Sequence, residues 1–564
     1  MKKEGMRAMN NTPNGNINTT PSNETVKIEF LNGKAVVKIG DFERQFDKLE
    51  DINPAEIGIE LRSLGYKIEP RDIILAKIKA RKSIEAVLKG ITHLEIEDAK
   101  QLPINERLEY LDSERLKNML KAKLEELGVE YKRDIIAEAK KSDLAWAIYL
   151  LNEELKILDF IVVRYSDGSH ELWVYDKGIA IPDGKAYVAR LSKKIADKYA
   201  TKMCVSEAVL NFETGSPIID YKDLDPIGYL PLKNVILNLE TLTVIDYPQR
   251  IGNLIFTKKL DIEIDTGILE LIRLGEIDYS YWNHVAPTWI QFLKRFYVSD
   301  SENPPYRQLE KLEDLLGSIF MPQVTKKKLG LIIGEPNTGK STLQYVLKKV
   351  LGPYVSTLTM DALSNNRFAI AELRGKLLNI AVEKPKSRVD IEILKRITGG
   401  DTVIAENKFK PLFHFTPVAT QIFLMNSLPT FRELDEAILD RFYFIFPQNA
   451  LDPKEKDERF REKLAEEREA ILHYLLWCYW NLKQRNYVFR HEFDVNTKID
   501  LVEEYSSPVW QFVNEECVED HDYRIERKKL YEAYIQWARE NAKEPITTRK
   551  FYAVLRTKFL EVTI

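Results

Sequence analysis

Cysteine is scarce in this sequence of 564 residues, which holds only Cys204, Cys478 and Cys517. The three lie far apart, so they form neither a zinc-site pattern nor a disulfide framework, and they favour a reducing compartment. No apolar run approaches the roughly 20 residues of a membrane helix. Residues 1–25 are basic and then polar, without the apolar segment of a signal peptide, and are predicted to be a disordered tail. A cytoplasmic protein is therefore expected.

An excess of positive charge is also absent, because 83 Lys and Arg stand against 87 Asp and Glu, a net charge of −4. Any nucleic acid would have to be bound by a local basic patch or by the interior of a ring. Hydrophobic residues make up 44% and charged residues 30%, which is typical of globular domains. A chain of this length is too long for one core, so several domains are predicted.

The clearest motif lies between an apolar run, Leu329–Ile333, and a stretch with helical spacing at residues 342–350. Between them stands GEPNTGKS, the G-x-x-x-x-G-K-[ST] pattern of a phosphate-binding loop, in the strand–loop–helix context that it requires. Glycines let the backbone N–H groups approach a phosphate chain, and the helix N-terminus adds positive potential. The residues predicted to bind ATP are Gly334, Glu335, Pro336, Asn337, Thr338, Gly339, Lys340, Ser341 and Thr342.

Lys340 is predicted to reach the β- and γ-phosphates, and the Ser341 hydroxyl to hold Mg²⁺. The alternative is a chance match in a turn before a helix, and the flanking strand and helix argue against it.

Three further polar residues follow predicted strands or a helix downstream of this loop. Glu383 ends a buried strand at residues 377–382, where it can orient Mg²⁺ through water or polarise the attacking water. Asn426 follows a strand at residues 421–425 and can contact the γ-phosphate or that water; a turn before proline is its alternative. Arg441 follows a short helix and can reach a phosphate bound by a neighbouring subunit, or instead pair with Asp440 or Asp435.

Residues 402–405 and 412–415 are predicted to pair as a β-hairpin. Its tip carries Lys408, Phe409 and Lys410, which can grip a backbone phosphate and a base face of single-stranded DNA. An exposed basic turn without that role is the alternative interpretation. A second hairpin, at residues 26–42 around an Asn-Gly pair, is predicted near the start of the chain.

Taken in order, the phosphate loop, GKLLNIAVE, LKRITGGD, FLMNSLP and LDRF resemble the superfamily-3 helicases, hexameric AAA+ motors of viruses and plasmids. The likeness is greatest to the poxvirus and phage/plasmid primase-helicase branch, whose metal-side motif typically ends in one Glu, as residues 380–383 do here. It extends to WVYDKG at residues 173–178, to residues 232–246, and to a C-terminal segment at 507–559. Asn234-Val235 departs from the Asn-Gly that is usual in that branch.

The resemblance implies that Glu383 is the Walker B acid, which holds Mg²⁺ with Ser341, that Asn426 is the sensor, and that Arg441 acts in trans. Residues 408–410 fall at the pore hairpin of the family. The implied function is an ATP-dependent replicative DNA helicase, a homo-hexameric ring that moves on single-stranded DNA inside a host cell. An ATP-switched origin-melting or loading factor is the alternative, followed by a small-molecule kinase and by a primase-helicase, although residues 1–140 lack an evident metal-binding carboxylate set.

The expected fold class is multidomain α/β, with an AAA+ P-loop core that carries a β-hairpin insert, an α+β N-terminal region and a helical, winged-helix-like C-terminal domain. The predicted divisions are a tail at 1–25, an N-terminal domain at 26–140, a pre-motor domain at 141–305, the motor core at 306–450, a helical connector at 451–505 and a DNA-binding domain at 506–564.

Overall fold

The computed structural model of the chain describes residues 27–31, 34–39, 42–46, 52, 57, 60, 94–248, 251–321, 328–366, 368–383, 389, 391–406, 412–429, 431, 434–452, 454, 459–518, 524–541 and 545–558. Contacts between residues divide the chain into two units. The first comprises the described residues up to Asp159 together with Lys185–Thr214, and the second comprises Phe160–Gly184 and Gly215 onwards.

The first unit begins with a three-stranded antiparallel sheet in sequential order, formed by β1 (Lys27–Leu31), β2 (Lys34–Ile39) and β3 (Phe42–Phe46). The pairing of β1 with β2 confirms the hairpin predicted at residues 26–42. Helices then follow: α1 (Leu94–Gln101), α2 (Ile104–Tyr110), α3 (Ser113–Glu126), α4 (Ile135–Glu138) and α5 (Lys141–Leu155). In α3 the buried leucines recur every four residues, which gives the helix one apolar face.

The second unit opens with two small sheets. Their strands and the helices between them are β4 (Asp159–Arg164), β5 (His170–Asp176), β6 (Ile179–Ile181), α6 (Gly184–Ala196), α7 (Lys202–Gly215), β7 (Ile218–Asp220), β8 (Tyr229–Pro231), β9 (Ile236–Asn238) and β10 (Thr243–Ile245). One sheet has the order β6-β5-β4-β7 and the other β10-β9-β8. Helices α6 and α7 fall largely within the first unit, so the chain leaves it, returns and leaves again.

Four helices lead into the central part of the second unit: α8 (Thr266–Leu274), α9 (Tyr279–Val285), α10 (Pro287–Tyr297) and α11 (Arg307–Gly317). Helix α11 is buried almost all round, including Lys311, Glu313 and Asp314. Asp314 accepts hydrogen bonds from Arg485 and Arg490, and Glu313 accepts from Tyr474 at 2.7 Å and Arg490 at 3.0 Å. These pairings offset the cost of burying the carboxylates.

The centre of the second unit is a parallel sheet of five strands in the order β12-β13-β16-β11-β17. Its elements and the hairpin are β11 (Leu329–Ile333), α12 (Lys340–Leu351), β12 (Val355–Ser356), α13 (Met360–Asn365), β13 (Leu378–Val382), α14 (Ile391–Gly399), β14 (Val403–Glu406), β15 (Leu412–Phe415), β16 (Thr420–Met425), α15 (Glu436–Arg441) and β17 (Phe442–Ile445). The strands are nearly continuous apolar runs, as a parallel sheet covered on both faces requires. The multidomain α/β class and the strands predicted here are confirmed.

Six helices complete the described chain: α16 (Phe460–Glu466), α17 (Arg468–Gln484), α18 (Val495–Ser506), α19 (Pro508–Glu516), α20 (Arg527–Glu540) and α21 (Thr548–Lys558). The last three share an aromatic core in which Phe512, Tyr534, Trp537 and Phe551 are buried. The described part of the C-terminal segment is therefore helical. Within the described ranges, no helix combines the length and the apolar character needed to span a bilayer.

Candidate nucleotide site

The phosphate loop joins the buried strand β11 to the N-terminus of α12. Gly339 caps this helix with φ of +79°, in the left-handed region that favours glycine. A Cβ at Gly339 would lie 2.8 Å from the ring of Phe296, so a side chain has no room there. Packing against Phe296 thus fixes the loop at Gly339. The first backbone N–H groups of α12 have no partner within the helix, as at any helix N-terminus, and are suited to bind an anion.

Lys340 points back into the loop that precedes it. Its ammonium donates to the carbonyl oxygens of Gly334 at 2.5 Å and Glu335 at 2.6 Å, and to the Thr338 hydroxyl at 3.0 Å. Only 8% of the residue is exposed, and this burial lowers the pKa of its amine to about 8. Within the described residues, this buried cation therefore has two carbonyls and a hydroxyl as its hydrogen-bond partners, and no carboxylate.

Glu383 lies immediately after β13, at the carboxyl edge of the sheet. One of its carboxylate oxygens accepts a hydrogen bond of 2.5 Å from the backbone N–H of Met360, at the N-terminus of α13. Burial, with a smaller contribution from the nearby Asp361, raises the pKa of the Glu383 carboxyl to about 7, although the hydrogen bond from Met360 acts in the opposite direction. A half-buried acid with a pKa near neutrality can exchange a proton in the physiological range.

The strand register brings the phosphate loop, Glu383 and Asn426 to one edge of the sheet. β16 lies between β11 and β13, with Ile333 opposite Met425 and Val382 opposite Leu424. Hydrogen bonds continue this register beyond the strands, because the N–H of Gly334 donates to the Met425 carbonyl at 3.1 Å and that of Glu383 to the Leu424 carbonyl at 2.8 Å. Asn426 therefore emerges between the loop and the acid.

Arg441 lies at the opposite edge of the same sheet. It ends α15 just before β17, whose first residue, Phe442, is opposite Leu329 at the start of β11. Its guanidinium donates to the Lys395 carbonyl, and its Nη2 lies 3.3 Å from the position of a Cβ at Gly399. The arginine is thus separated from the phosphate loop of its own chain by the length of a strand, about 15 Å.

The predicted hairpin is present as β14 and β15, which pair antiparallel with Val403 opposite Phe415. Its base packs on the rest of the second unit, since Ala405 and Phe413 are buried with Ala371. The predicted tip, Lys408, Phe409 and Lys410, lies outside the described residues.

Two contacts were not predicted from the sequence. Arg461, on α16, donates to the Thr342 hydroxyl at 3.4 Å and stacks 5.5 Å from the ring centre of Tyr345 on α12. Thr338 donates to the Glu335 carbonyl at 2.8 Å and so shapes the loop around the lysine. For the first contact, the signal available in the sequence was the basic segment at residues 459–463, which follows the last strand of the sheet by more than a dozen residues.

Metal binding at this site would involve few protein ligands. Ser341 is exposed at the first turn of α12, and Glu383 faces the same edge of the sheet. Among the described residues, no group of three or more His, Cys, Asp or Glu side chains is placed to hold an ion. This donor set fits Mg²⁺, which keeps several waters and is bound through a hydroxyl, a carboxylate and substrate phosphates.

Parts of the chain match a family model and two viral proteins. A family model described as a family of unknown function, DUF5906, matches residues 332–441, from the end of β11 to Arg441. Two curated proteins with provisional helicase names are each 25% identical to the chain: V13 of Sputnik virophage over 158 residues, and L207/L206 of Acanthamoeba polyphaga mimivirus over 150 residues.

These matches are partial, because they cover 26% and 25% of this chain and only 20% and 16% of the two viral proteins. Solved apo structures of the C-terminal region of NrS-1 align over 70% and 75% of the chain and 79% and 91% of their own, with TM-scores of 0.41 and 0.40 and identities of 13% and 14%. Part of the chain is thus similar to viral proteins that carry helicase names.

Proposed function

We propose that the chain is an ATP-dependent DNA helicase of viral or plasmid replication, with the AAA+ core of the superfamily-3 helicases. The observation that carries the proposal is the sheet edge where the phosphate loop, Glu383 and Asn426 leave three adjacent parallel strands. That arrangement is suited to nucleotide hydrolysis, because ligands of such sheets bind at the carboxyl ends of the strands. The helicase names of the viral relatives support DNA as the partner.

In the proposed mechanism, the loop N–H groups and Lys340 bind the phosphates of ATP, and the lysine exchanges its own carbonyl partners for phosphate oxygens. Ser341 and, through water, Glu383 would hold Mg²⁺, which supplies neutralising charge at the β- and γ-phosphates. Glu383 has a pKa near 7 and so can accept a proton from the attacking water, while Asn426 orients that water.

Arg441 is proposed to complete the site of the next subunit. It lies at the edge of the sheet away from its own phosphate loop, so it is available for a loop on a neighbouring copy. A head-to-tail interface of this kind repeats around a closed ring, which supports the proposed homo-hexamer. The hairpin β14–β15, with Lys408, Phe409 and Lys410 at its tip, would track single-stranded DNA as the site cycles.

A subunit-mixing experiment tests this proposal. Lys340→Ala and Arg441→Ala should each lose ATP hydrolysis alone, but an equal mixture should recover about a quarter of the wild-type rate, because one interface in four joins an intact lysine to an intact arginine. Arg441→Lys, which keeps the charge but not the planar fork, serves as the control and should stay impaired.

If hydrolysis continues in Lys340→Ala, the proposed site is wrong, and if no mixture recovers activity, the trans role of Arg441 is wrong. Displacement of the strand from a long duplex separates a helicase from an ATP-switched melting or loading factor, which would open only a short region.

A further inference from the structure

A cavity of about 400 Å³ lies beside β12, which is an edge strand of the parallel sheet. Strands β13 and β16 separate β12 from β11, which leads into the phosphate loop. It is lined by Lys348 near the end of α12, by Ser356 and Thr357 at the end of β12, and by Arg374 and Lys376 before β13. Its volume is near the lower end of the range of small-ligand sites, about 300–1,000 Å³.

The lining of this cavity is basic. Three cations, Lys348, Arg374 and Lys376, line it with a single carboxylate, Glu372, and the exposed Thr357 adds a hydroxyl group. Lys348 is exposed and has no ion pair or hydrogen bond within the described part of the chain. A cavity with this balance of charge attracts an anion, and Lys, Arg, Ser and Thr are the side chains that contact phosphate oxygens.

Arg374 and Lys376 are already oriented. The Arg374 guanidinium lies 3.5 Å from the ring centre of Tyr221 and donates to the Tyr221 carbonyl, which fixes its plane. Lys376 donates to the Pro353 carbonyl at 2.7 Å, and burial lowers the pKa of its amine. An anion in the cavity would favour the charged form of Lys376, so the site gains most from a ligand with full negative charge.

The cavity is connected by packing to the base of the hairpin. Tyr221, which stacks on Arg374, meets the ring of Phe413 on β15 edge-on at 5.7 Å. Ala371 lines the cavity and is also buried against Ala405 of β14. Tyr221 thus links Phe413, at the base of the hairpin, to Arg374 in the cavity. A DNA strand bound by the hairpin would therefore lie near a basic cavity.

We propose that the cavity lined by Lys348, Arg374 and Lys376 is a phosphate-binding site, separate from the nucleotide loop, that takes a backbone phosphate of the single strand. The assignment of DNA as the source of the phosphate rests on the proposed function, whereas the presence of an anion site does not. Binding here would add a contact that does not depend on base identity, as a translocating protein requires.

The salt dependence of oligonucleotide binding tests the site. The full chain is titrated with a fluorescent oligo-dT at several salt concentrations, with Mg²⁺ and a non-hydrolysable ATP analogue present. Lys348→Ala should weaken binding and reduce the slope of log K against log salt by about 0.7, the value for one lost contact with a single strand. Its matched control is Lys349→Ala, because Lys349 is the next residue on α12, is exposed and faces Tyr345 instead of the cavity.

Basal ATP hydrolysis without DNA separates the cavity proposal from the proposed helicase function. Lys348 is not part of the nucleotide site, so Lys348→Ala should leave that rate unchanged. An unchanged slope in Lys348→Ala, or an equal change in Lys349→Ala, would overturn the cavity proposal while leaving the helicase intact. Inorganic phosphate and dTMP are the comparison probes: if either binds through Lys348 while the oligonucleotide slope stays at the wild-type value, the DNA assignment is wrong.

Discussion

Lys340 and Glu383 carry opposite charges, yet burial disfavours the charged form of both side chains. The pKa of Lys340 falls to about 8 and that of Glu383 rises to about 7. Each residue thus destabilises the ligand-free protein when it is ionised, and under the proposed function a bound nucleotide and metal would offset that cost. Two predictions follow from the direction of these shifts.

The substitution Glu383→Gln should raise the melting temperature more at pH 8 than at pH 5. The folded-state pKa lies above the usual value of 4.5, so the wild-type protein loses stability as the pH rises from about 4.5 through 7, and glutamine does not. Thermal melts of the ligand-free protein at the two pH values measure the difference. A shift of the same size at both would contradict the assigned pKa.

For Lys340→Met the dependence on pH should be reversed. The folded-state pKa is depressed, so the cost of holding the ammonium is fully present below pH 8 and disappears as the pH approaches 10.5. Methionine fills a similar volume without charge, so the variant should melt higher than wild type at pH 7, by an amount that shrinks towards pH 10. ATP hydrolysis should be absent throughout. A lower melting temperature at pH 7 would show that the carbonyl contacts outweigh burial.

At the scale of elements, the position of β11 depends on its close approach to α11. Gly330 is the second residue of the strand, and a Cβ there would lie 2.3 Å from Cδ2 of Leu315. The missing side chain lets the strand and helix pack closely, and β11 in turn positions the phosphate loop. The loop geometry therefore depends on a contact near the other end of the strand.

Gly330→Ala should destabilise the protein by about 1–3 kcal/mol through overpacking. Leu315→Ala alone should cost about 2–5 kcal/mol by leaving a cavity. The double variant should be more stable than the sum of the two effects predicts, because each change relieves the other. Denaturant unfolding of all four proteins gives the coupling energy, and strict additivity would mean that the two residues do not meet.

The elements around the phosphate loop were largely predictable because their signals are local. The apolar runs of β11, β13 and β16 and the helical spacing after Lys340 can be read from a few adjacent residues. Strand order is not local, and nothing in the sequence places β16 between β11 and β13. The contacts of Arg461 with Thr342 and of Arg374 with Tyr221 join residues 119 and 153 positions apart, so only the fold could bring them together.

The predicted roles of Glu383, Asn426, Arg441 and the hairpin tip remain predictions, as do the binding of ATP and Mg²⁺ and the domain boundaries. They came from the order of motifs, which fixes neither distances nor protonation states. The structure adds to them the side of the sheet on which each described residue lies, and this is what makes the mixing experiment specific.

At the scale of the whole molecule, the chain passes from one unit to the other more than once. Residues 160–184 belong to the second unit, and 185–214 return to the first. Strand β7 pairs in parallel with β4, and Leu224 and Ile255 share a core with Ile161 and Trp173. The second unit therefore includes a segment that precedes part of the first in sequence.

A truncation that ignores this path should fail. A fragment of residues 215–564 loses β4 to β6 and exposes the core around Leu224, so it should melt at a lower temperature or aggregate, whereas residues 160–564 should keep a cooperative transition. Limited proteolysis and thermal melts of the two fragments measure the difference. Equal stability would mean that the sheet β6-β5-β4-β7 does not support the second unit.

Under the proposed function, the contacts of Lys340 with its own loop would also make nucleotide binding a proton-coupled event. An amine with a pKa of about 8 is partly neutral in mildly alkaline solution, and contact with phosphate oxygens must restore its full charge. The protein should therefore take up a proton when it binds nucleotide near pH 8, and its affinity should decline as the pH rises further. Calorimetric titrations in two buffers of different ionisation enthalpy would count that proton directly.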